Sequence, residues 1–213
     1  VMAVVVMAAA VVVPETAHAA KKAVKSITLS KPAVKTLGMK KGETFSLKVK
    51  VKPAGMSKKI TYSSSKKAVV SVDKKGKLKA KKAGKAVITV SSQTKPKKSV
   101  KLKVTVFKAF KKVKKVALDQ KSVTLLKGQK MQLRASVSPK NATMKKVTFQ
   151  SSNTSVAKVN SNGVVTAKET GPVKITAYAA DGRGAKAVCA VGVTEASVYP
   201  KITAAPPQTT GSA

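Results

Sequence analysis

The sequence predicts an all-β chain of two antiparallel β-sandwiches in tandem, and three observations carry that prediction. The first is an internal repeat. Residues 147–177, VTFQSSNTSVAKVNSNGVVTAKETGPVKITA, have a weaker copy at 60–90, ITYSSSKKAVVSVDKKGKLKAKKAGKAVITV. Tyr62 falls on Phe149, Val72 on Val159, Gly76 on Gly163, Ala80 on Ala167, Gly84 on Gly171 and Thr89 on Thr176, each pair 87 residues apart. Upstream the offset is 86, with Gly42 on Gly128 and Pro53 on Pro139, so one residue has been gained or lost between the proline and the aromatic. A fixed offset over so many positions means two copies of one domain. The second observation is alternation. In FSLKVKVKP, Phe45, Leu47, Val49 and Val51 share one face while Ser46, Lys48, Lys50 and Lys52 share the other, which is a half-buried antiparallel strand. The third is spacing: seven or eight short strands in each copy of about 85 residues, with turn signals every 8–12, suit a sandwich. No proline-free apolar helical pattern follows residue 20.

In chain order, Val24 to Leu29 reads as the first strand and Ala33 to Leu37 as its continuation beyond Pro32. Lys40-Lys41-Gly42 is a turn, and the alternating strand from Phe45 ends at Pro53, with Ala54-Gly55 opening the next loop. Ile60 to Ser63 follows, then Val69 to Val72, the turn Asp73 to Gly76, Leu78 to Ala80, and a strand alternating through Ala86, Ile88 and Val90. Thr94 to Lys98 is a polar hairpin loop, and Val100, Leu102, Val104 and Val106 close the domain. Phe107 to Lys114 joins the copies. It is short and poor in Gly and Ser, which predicts restricted interdomain motion. The second copy predicts strands at Val116 to Leu118, Val123 to Leu126, Met131 to Val137, Val147 to Gln150, Val156 to Val159, Val164 to Ala167, Val173 to Ala179 and Ala187 to Val193. Its turns are Asn160-Ser161-Asn162-Gly163 and Asp181-Gly182-Arg183-Gly184. Residues 196–213, rich in Pro, Thr, Ser and Ala, read as a linker or tail.

The order of signals is V-x-L, K-G-x, an alternating strand ending in Pro, aromatic-x-S-S, S-V-x-x-V, G-x-V-x-A, G-x-x-x-I-T-A and a closing alternating strand. It resembles the bacterial immunoglobulin-like domain, group 2, found in surface proteins and in invasin- or intimin-like adhesins. The resemblance covers about 25–106 and 115–194, and the second copy matches best. The first departs at Lys74 to Ala80, where the family is usually apolar, and Tyr62 and Phe149 stand where it usually carries Trp. The resemblance implies two tandem immunoglobulin-like sandwiches, at 24–107 and 113–195, with extracellular spacer, display or adhesion roles and no catalytic residues to carry over.

Residues 1–19 read as a truncated signal peptide. The apolar run Val1 to Val13 is too short for a bilayer, which needs about 20 residues, and Pro14 breaks it. Small residues at Ala17 and Ala19 suit signal peptidase and place the cut after Ala19. With no basic segment or initiator Met ahead of the apolar run, the chain is expected to begin inside its own leader. The expected localisation is secreted and associated with a bacterial cell surface.

Composition leaves little room for chemistry. The only histidine, His18, lies in the expected leader, which removes His-based acid–base catalysis and any Ser-His-Asp arrangement from the mature chain. One cysteine cannot form a zinc set or an intradomain disulfide; Cys189, in AKAVCAVGV, reads as a buried hydrophobe. Seven acids in 213 residues make a paired-carboxylate site or a calcium cage implausible, and no Gly-rich loop precedes a helix. No catalytic residue, metal, cofactor, small-molecule substrate or transmembrane segment is expected.

Charge is the remaining signal. The net charge is +37, and it is unevenly spread. Residues 21–114 carry 30 lysines against Glu43 and Asp73, whereas 115–213 carry 14 basic and 4 acidic groups. A charge of about 2–8 keeps a small domain soluble, so the first copy far exceeds that need. An uncompensated excess of this size attracts anionic polymers at long range, and salt screens the attraction. Only Arg134 and Arg183 are arginines, so most contacts would be point charges rather than the fork that reads phosphates or guanines. With no Trp and few aromatics, a stacking platform for sugars or bases is not expected. Lys48, Lys50 and Lys52 on one strand and Lys101 and Lys103 on another are the candidate polyanion contacts. They are expected on the outer faces of opposite sheets, with charge surrounding the domain rather than lining a groove. The expected partner is an anionic cell-wall polymer or acidic glycan held by diffuse electrostatics, with nucleic acid bound only non-specifically. The alternatives are a binding protein for an external polyanion and a set of accessory domains of a larger secreted enzyme.

Overall fold

The structure is a computed structural model, and it describes residues 23–54 and 60–196. The expected leader with its cleavage site, and the expected tail beyond residue 196, lie outside the described residues. The first repeat holds β1 (Ser26–Lys31), β2 (Thr36–Lys40), β3 (Thr44–Ser46), β4 (Lys48–Lys52), β5 (Ile60–Ser64), β6 (Val70–Val72), β7 (Lys77–Ala80), β8 (Gly84–Ser92) and β9 (Ser99–Phe107). The second holds β10 (Lys115–Leu118), β11 (Ser122–Leu126), β12 (Lys130–Gln132), β13 (Ala135–Ser138), β14 (Val147–Ser151), β15 (Ala157–Val159), β16 (Val164–Ala167), β17 (Gly171–Ala179) and β18 (Lys186–Thr194).

Each repeat is a sandwich with the same topology. A four-stranded sheet, β2-β9-β8-β5 or β11-β18-β17-β14, faces a layer made of β3-β7-β6 with β1-β4, or β12-β16-β15 with β10-β13. One expected strand is broken at equivalent places in both repeats, and in the first repeat the expected continuation beyond Pro32 instead changes sheet. The chain leaves β1, which pairs antiparallel with β4, and enters β2, which pairs with β9 in the other sheet. Pro32 lies in that crossover, where its missing N–H is not needed by a ladder. The β2–β9 pair is parallel, as is β11–β18, so the otherwise antiparallel sandwiches each contain one parallel edge. The strand expected from Phe45 breaks at Leu47, and the one expected from Met131 to Val137 breaks at Leu133. At each break the leucine is buried and its N–H bonds to the carbonyl of a turn glycine: Leu47 to Gly76 at 3.0 Å, Leu133 to Gly163 at 2.9 Å. The break lets one strand serve two partners while its backbone groups stay paired.

The cores follow the alternation. Ala86, Ile88 and Val90 on β8 meet Leu102, Val104 and Val106 on β9 and Leu37 and Met39 on β2. In the second repeat Val173 and Ile175 meet Cys189, Val191, Val193, Leu125 and Leu133. Fully burying one such aliphatic side chain contributes about 1.5–3 kcal/mol. The aromatic of each repeat caps this core by lying on a turn glycine. A Cβ on Gly76 would sit 3.0 Å from the Tyr62 ring, and one on Gly163 would sit 2.9 Å from the Phe149 ring. Both glycines also have φ near +80° (79° and 87°), so ring and turn demand the same residue. The turn ahead of each is closed by its Asx side chain. Asp73 Oδ1 accepts from the N–H groups of Lys75 and Lys77 at 2.8 Å, and Asn160 Oδ1 from those of Asn162 and Val164 at 2.9 and 3.0 Å.

Candidate functional site

The sandwich puts the candidate lysines where alternation predicts. Val49 and Val51 turn inward along β4, as Leu47 does just before it, leaving Lys48, Lys50 and Lys52 exposed. Leu102 and Val104 do the same on β9, leaving Lys101 and Lys103 exposed. The first set lies beside β1, with Lys48 opposite Lys31; the second lies in the four-stranded sheet, opposite Thr89 and Val87. The two sets therefore belong to different sheets and do not converge. Among the described residues the ion pairs are Lys127 with Glu169 and Glu195, and Arg183 with Glu43. None of the five candidate lysines has a carboxylate partner there.

Cys189 lies fully buried in the core of the second repeat. Burial, with Asp119 adding repulsion, holds its thiol above the ordinary value of 9.0, which opposes the thiolate that reactivity requires. Among the described residues no three His, Cys, Asp or Glu side chains gather as a metal set, and no helix is long and apolar enough to cross a membrane.

Sequence reasoning missed the joint between the repeats. β2 is an edge strand whose inner side pairs with β9. Its outer side is covered by the β17–β18 turn of the second repeat. The N–H of Gly38 donates to the Asp181 carbonyl at 2.9 Å, the Arg183 Nε–H donates back to the Gly38 carbonyl at 3.0 Å, and the Thr36 hydroxyl donates to the Ala180 carbonyl at 2.6 Å. An exposed edge is a template for unwanted pairing, and here the neighbouring repeat closes it. Gly182 makes the approach feasible. Its φ is +70°, and a Cβ there would meet the Thr36 carbonyl at 2.5 Å.

The same turn holds its own repeat. Asp181 is fully buried; its Oδ2 accepts the Val113 N–H at 2.7 Å and its Oδ1 the Arg183 N–H at 3.0 Å. The Arg183 guanidinium then pairs with Glu43 and lies between two rings, 5.4 Å from the centroids of Phe45 and Phe110. Phe110 stacks on Phe107 at 5.7 Å and, with Met144, occupies the space that a side chain on Gly38 would need. The linker is also tied to the second repeat: the Lys111 N–H donates to Thr143 Oγ1, and the Thr143 N–H donates back to the Lys111 carbonyl, each at 2.8 Å. Composition singled out none of these side chains.

The joint also alters the expectation that charge surrounds the domain without lining a groove. Lys31, Lys40, Lys41 and Lys112 line an open cavity of about 840 Å³ beside Glu43 and Arg183. The four lysines are exposed, and the cavity's one carboxylate is engaged by Arg183 and by the Lys40 N–H at 2.9 Å. The signal available in the sequence was Arg183 itself, one of two arginines among 44 basic residues, in a turn read only for its turn chemistry.

Comparison with known proteins gives a consistent picture. The chain is 34% identical over 170 residues to an uncharacterized protein of Clostridium acetobutylicum, covering 79% of this chain and 17% of that protein. It is 49% identical over 67 residues to a kappa-carrageenase of Pseudoalteromonas carrageenovora, covering 32% of this chain and 17% of the enzyme. It is 41% identical over 80 residues to an Ig-like virion protein of Serratia phage KSP90, covering 37% of this chain and 31% of that protein. The chain therefore spans less than a third of the length of each of these relatives. The sequence profile of the bacterial Ig-like domain, group 2, matches residues 23–104 and again 112–191, one match per sandwich. The chain belongs to the group 2 bacterial immunoglobulin-like domain family, of which it carries two copies in tandem.

Proposed function

We propose that this chain is a non-catalytic extracellular surface module, a spacer or adhesion unit, held against anionic cell-envelope polymers by the lysine faces of its first repeat. The observation that carries the reading is the uncompensated charge. Lys48, Lys50, Lys52, Lys101 and Lys103 are exposed on two different sheets with no carboxylate partner among the described residues. Single exposed ammonium groups contribute little, but a domain studded with them raises the local concentration of any polyanion. The similarity to a virion protein supports a role in presentation outside the cell. The similarity to a segment of a kappa-carrageenase supports a second reading, in which such repeats accompany a catalytic domain of a larger secreted enzyme.

The test passes the intact chain over immobilised teichoic acid, heparin and duplex DNA, matched in charge density, along a salt gradient. Retention on all three with release at one salt concentration supports diffuse attachment. One polymer holding the chain at salt that frees the others would replace this reading with that of a binding protein for an external polyanion. Absence of retention at low salt would end the charge argument.

A further inference from the structure

The joint cavity gathers more lysines than any other cavity described, and it draws them from both sides of the joint. Lys31 and Lys40 are on β1 and β2, Lys41 is in the following turn, and Lys112 comes from the linker that enters the second repeat. Four lysines, from β1, from β2 with its turn, and from the linker, thus line one concave space of about 840 Å³. Lines of field concentrate in such a cleft, so an anion there feels several charges at once. The local neutralising group is already committed, since Glu43 is paired with Arg183.

What the cavity offers a ligand is charge and little else. The faces of Phe45 and Phe110 are engaged, Arg183 lying 5.4 Å from both centroids and Lys31 Nζ lying 5.5 Å from that of Phe45. Neither ring is free to stack a sugar or a base. The Arg183 fork is spent on Glu43 and the Gly38 carbonyl, so it does not read an oxyanion in bidentate fashion. Lysine ammonium groups bind phosphate as point charges, without a planar geometry to satisfy. A polymer whose repeating charge is phosphate and whose connecting unit presents nothing to recognise fits that chemistry. We propose that the joint cavity is a focused site for the phosphate groups of a polyol-phosphate envelope polymer, seated across both repeats. This deepens the diffuse attachment proposed above and rests on it.

The experiment uses the intact chain and two probes, inorganic tripolyphosphate in solution and immobilised polyglycerol phosphate. One variant carries K31Q, K40Q, K41Q and K112Q. A second carries K67Q, K95Q, K97Q and K98Q, which removes equal charge from exposed lysines of the same repeat outside the cavity. All eight side chains are exposed, so both variants fold as the parent does, and circular dichroism checks this. The expected result is saturable one-to-one binding of tripolyphosphate, weakened at least ten-fold by the cavity set and no more than two-fold by the other. Equal losses from the two sets, or no saturable binding, overturn the focused site while retention on the long polymer leaves diffuse attachment standing. Saturable binding confined to the cavity lysines, with no retention of the parent on the long polymer, upholds the site and overturns the attachment. Retention on heparin surviving at salt that frees polyglycerol phosphate, and lost with the cavity set, overturns the assignment to phosphate in favour of a sulfated glycan.

Discussion

The two repeats agree at the turns and strand entries that set the fold and differ where they meet. Gly42 and Gly128 both have φ of 86°, and the Lys40 and Leu126 N–H groups are capped alike by Glu43 and Gln129. Ser65 Oγ accepts from the Val87 N–H as Ser152 Oγ accepts from the Lys174 N–H. The entry to each sandwich is also fastened alike: the Val24 N–H donates to Thr94 Oγ1 at 3.0 Å, and the Val113 N–H to Asp181 Oδ2 at 2.7 Å. Against that background the substitutions stand out. Thr94 becomes a carboxylate at Asp181, Pro96 becomes Arg183, Gln129 answers to a charged Glu43, and Thr124 answers to Gly38. Every one of these belongs to the joint. On β11, the counterpart of β2, no turn covers the outer edge among the described residues. The residues that dock the two copies are thus ones that the copies do not share.

The largest test of that contrast is the entry clamp. Asp181→Ala leaves one buried and one half-buried N–H group without their acceptor and frees the turn that covers β2. A charged acceptor lost from a buried site costs about 2–3 kcal/mol. Thr94→Ala removes one neutral bond from the first repeat, a loss of about 1 kcal/mol. Urea unfolding of the intact chain, followed by hydrogen exchange in each repeat, separates the two. Equal losses would mean that the aspartate does only what the threonine does and that the joint adds nothing.

A second test undocks the turn, at the cost of a close contact with Leu37 at the margin of the first core. Gly182→Ala places a Cβ against the Thr36 carbonyl in a left-handed backbone that side chains disfavour by about 1–2 kcal/mol. The repeats should then reorient, and small-angle scattering should report a broader distribution of end-to-end distances at nearly unchanged strand content. An unchanged scattering profile would show that the linker contacts of Phe107, Phe110 and Lys111 suffice to hold the pair.

A smaller, pH-dependent difference lies in the cores. The position of Leu102 in the first repeat is taken by Cys189 in the second, and that of Phe149 in the second is taken by Tyr62 in the first. Burial raises both ionisable groups, above 9.0 for the thiol and above 10.0 for the phenol, with Asp119 and Asp73 respectively adding to the rise. The neutral forms are the ones the fold favours. Their contribution is fully present below the ordinary values and is lost as pH rises through the raised ones. Exchange protection of the second repeat should begin to fall above about pH 9, before that of the first. C189L should remove the early decline and Y62F the later one; a decline unchanged in C189L would place its origin elsewhere.

Much of the fold was legible because it is local or periodic. Alternation placed the faces of β4, β8 and β9, and the turn residues Gly42, Asp73 and Gly163 mark reversals through backbone requirements that no neighbour alters. The breaks at Leu47 and Leu133 were not legible, since an inward leucine in a continuous strand reads identically to one at a switch between partners. Neither was the parallel edge of β2, because strand direction is set by what lies across the sandwich. The candidate lysines lay where periodicity put them, but the cavity joins residues from β1, β2, a turn and the linker, whose meeting depends on the docking of Asp181 and Arg183. A repeat offset shows which positions are shared. Gly38, Glu43 and Arg183 are among the many positions that are not.

The smallest effect is the most specific to the joint. Glu43→Gln turns the first repeat into the second at that position, since Gln129 caps the Leu126 N–H at 2.8 Å as Glu43 caps that of Lys40 at 2.9 Å. The local turn is thus preserved and only the pairing with Arg183 is weakened. Glu43 is about one-third exposed, so solvent screens the pair and the loss should be about 0.5–1 kcal/mol. The change also removes the one carboxylate lining the joint cavity, so tripolyphosphate should bind more tightly even as the joint loosens. Those opposite signs distinguish an electrostatic site from a merely rigid one. If affinity falls together with stability, the cavity depends on the exact seating of Arg183, and the four lysines alone do not make the site.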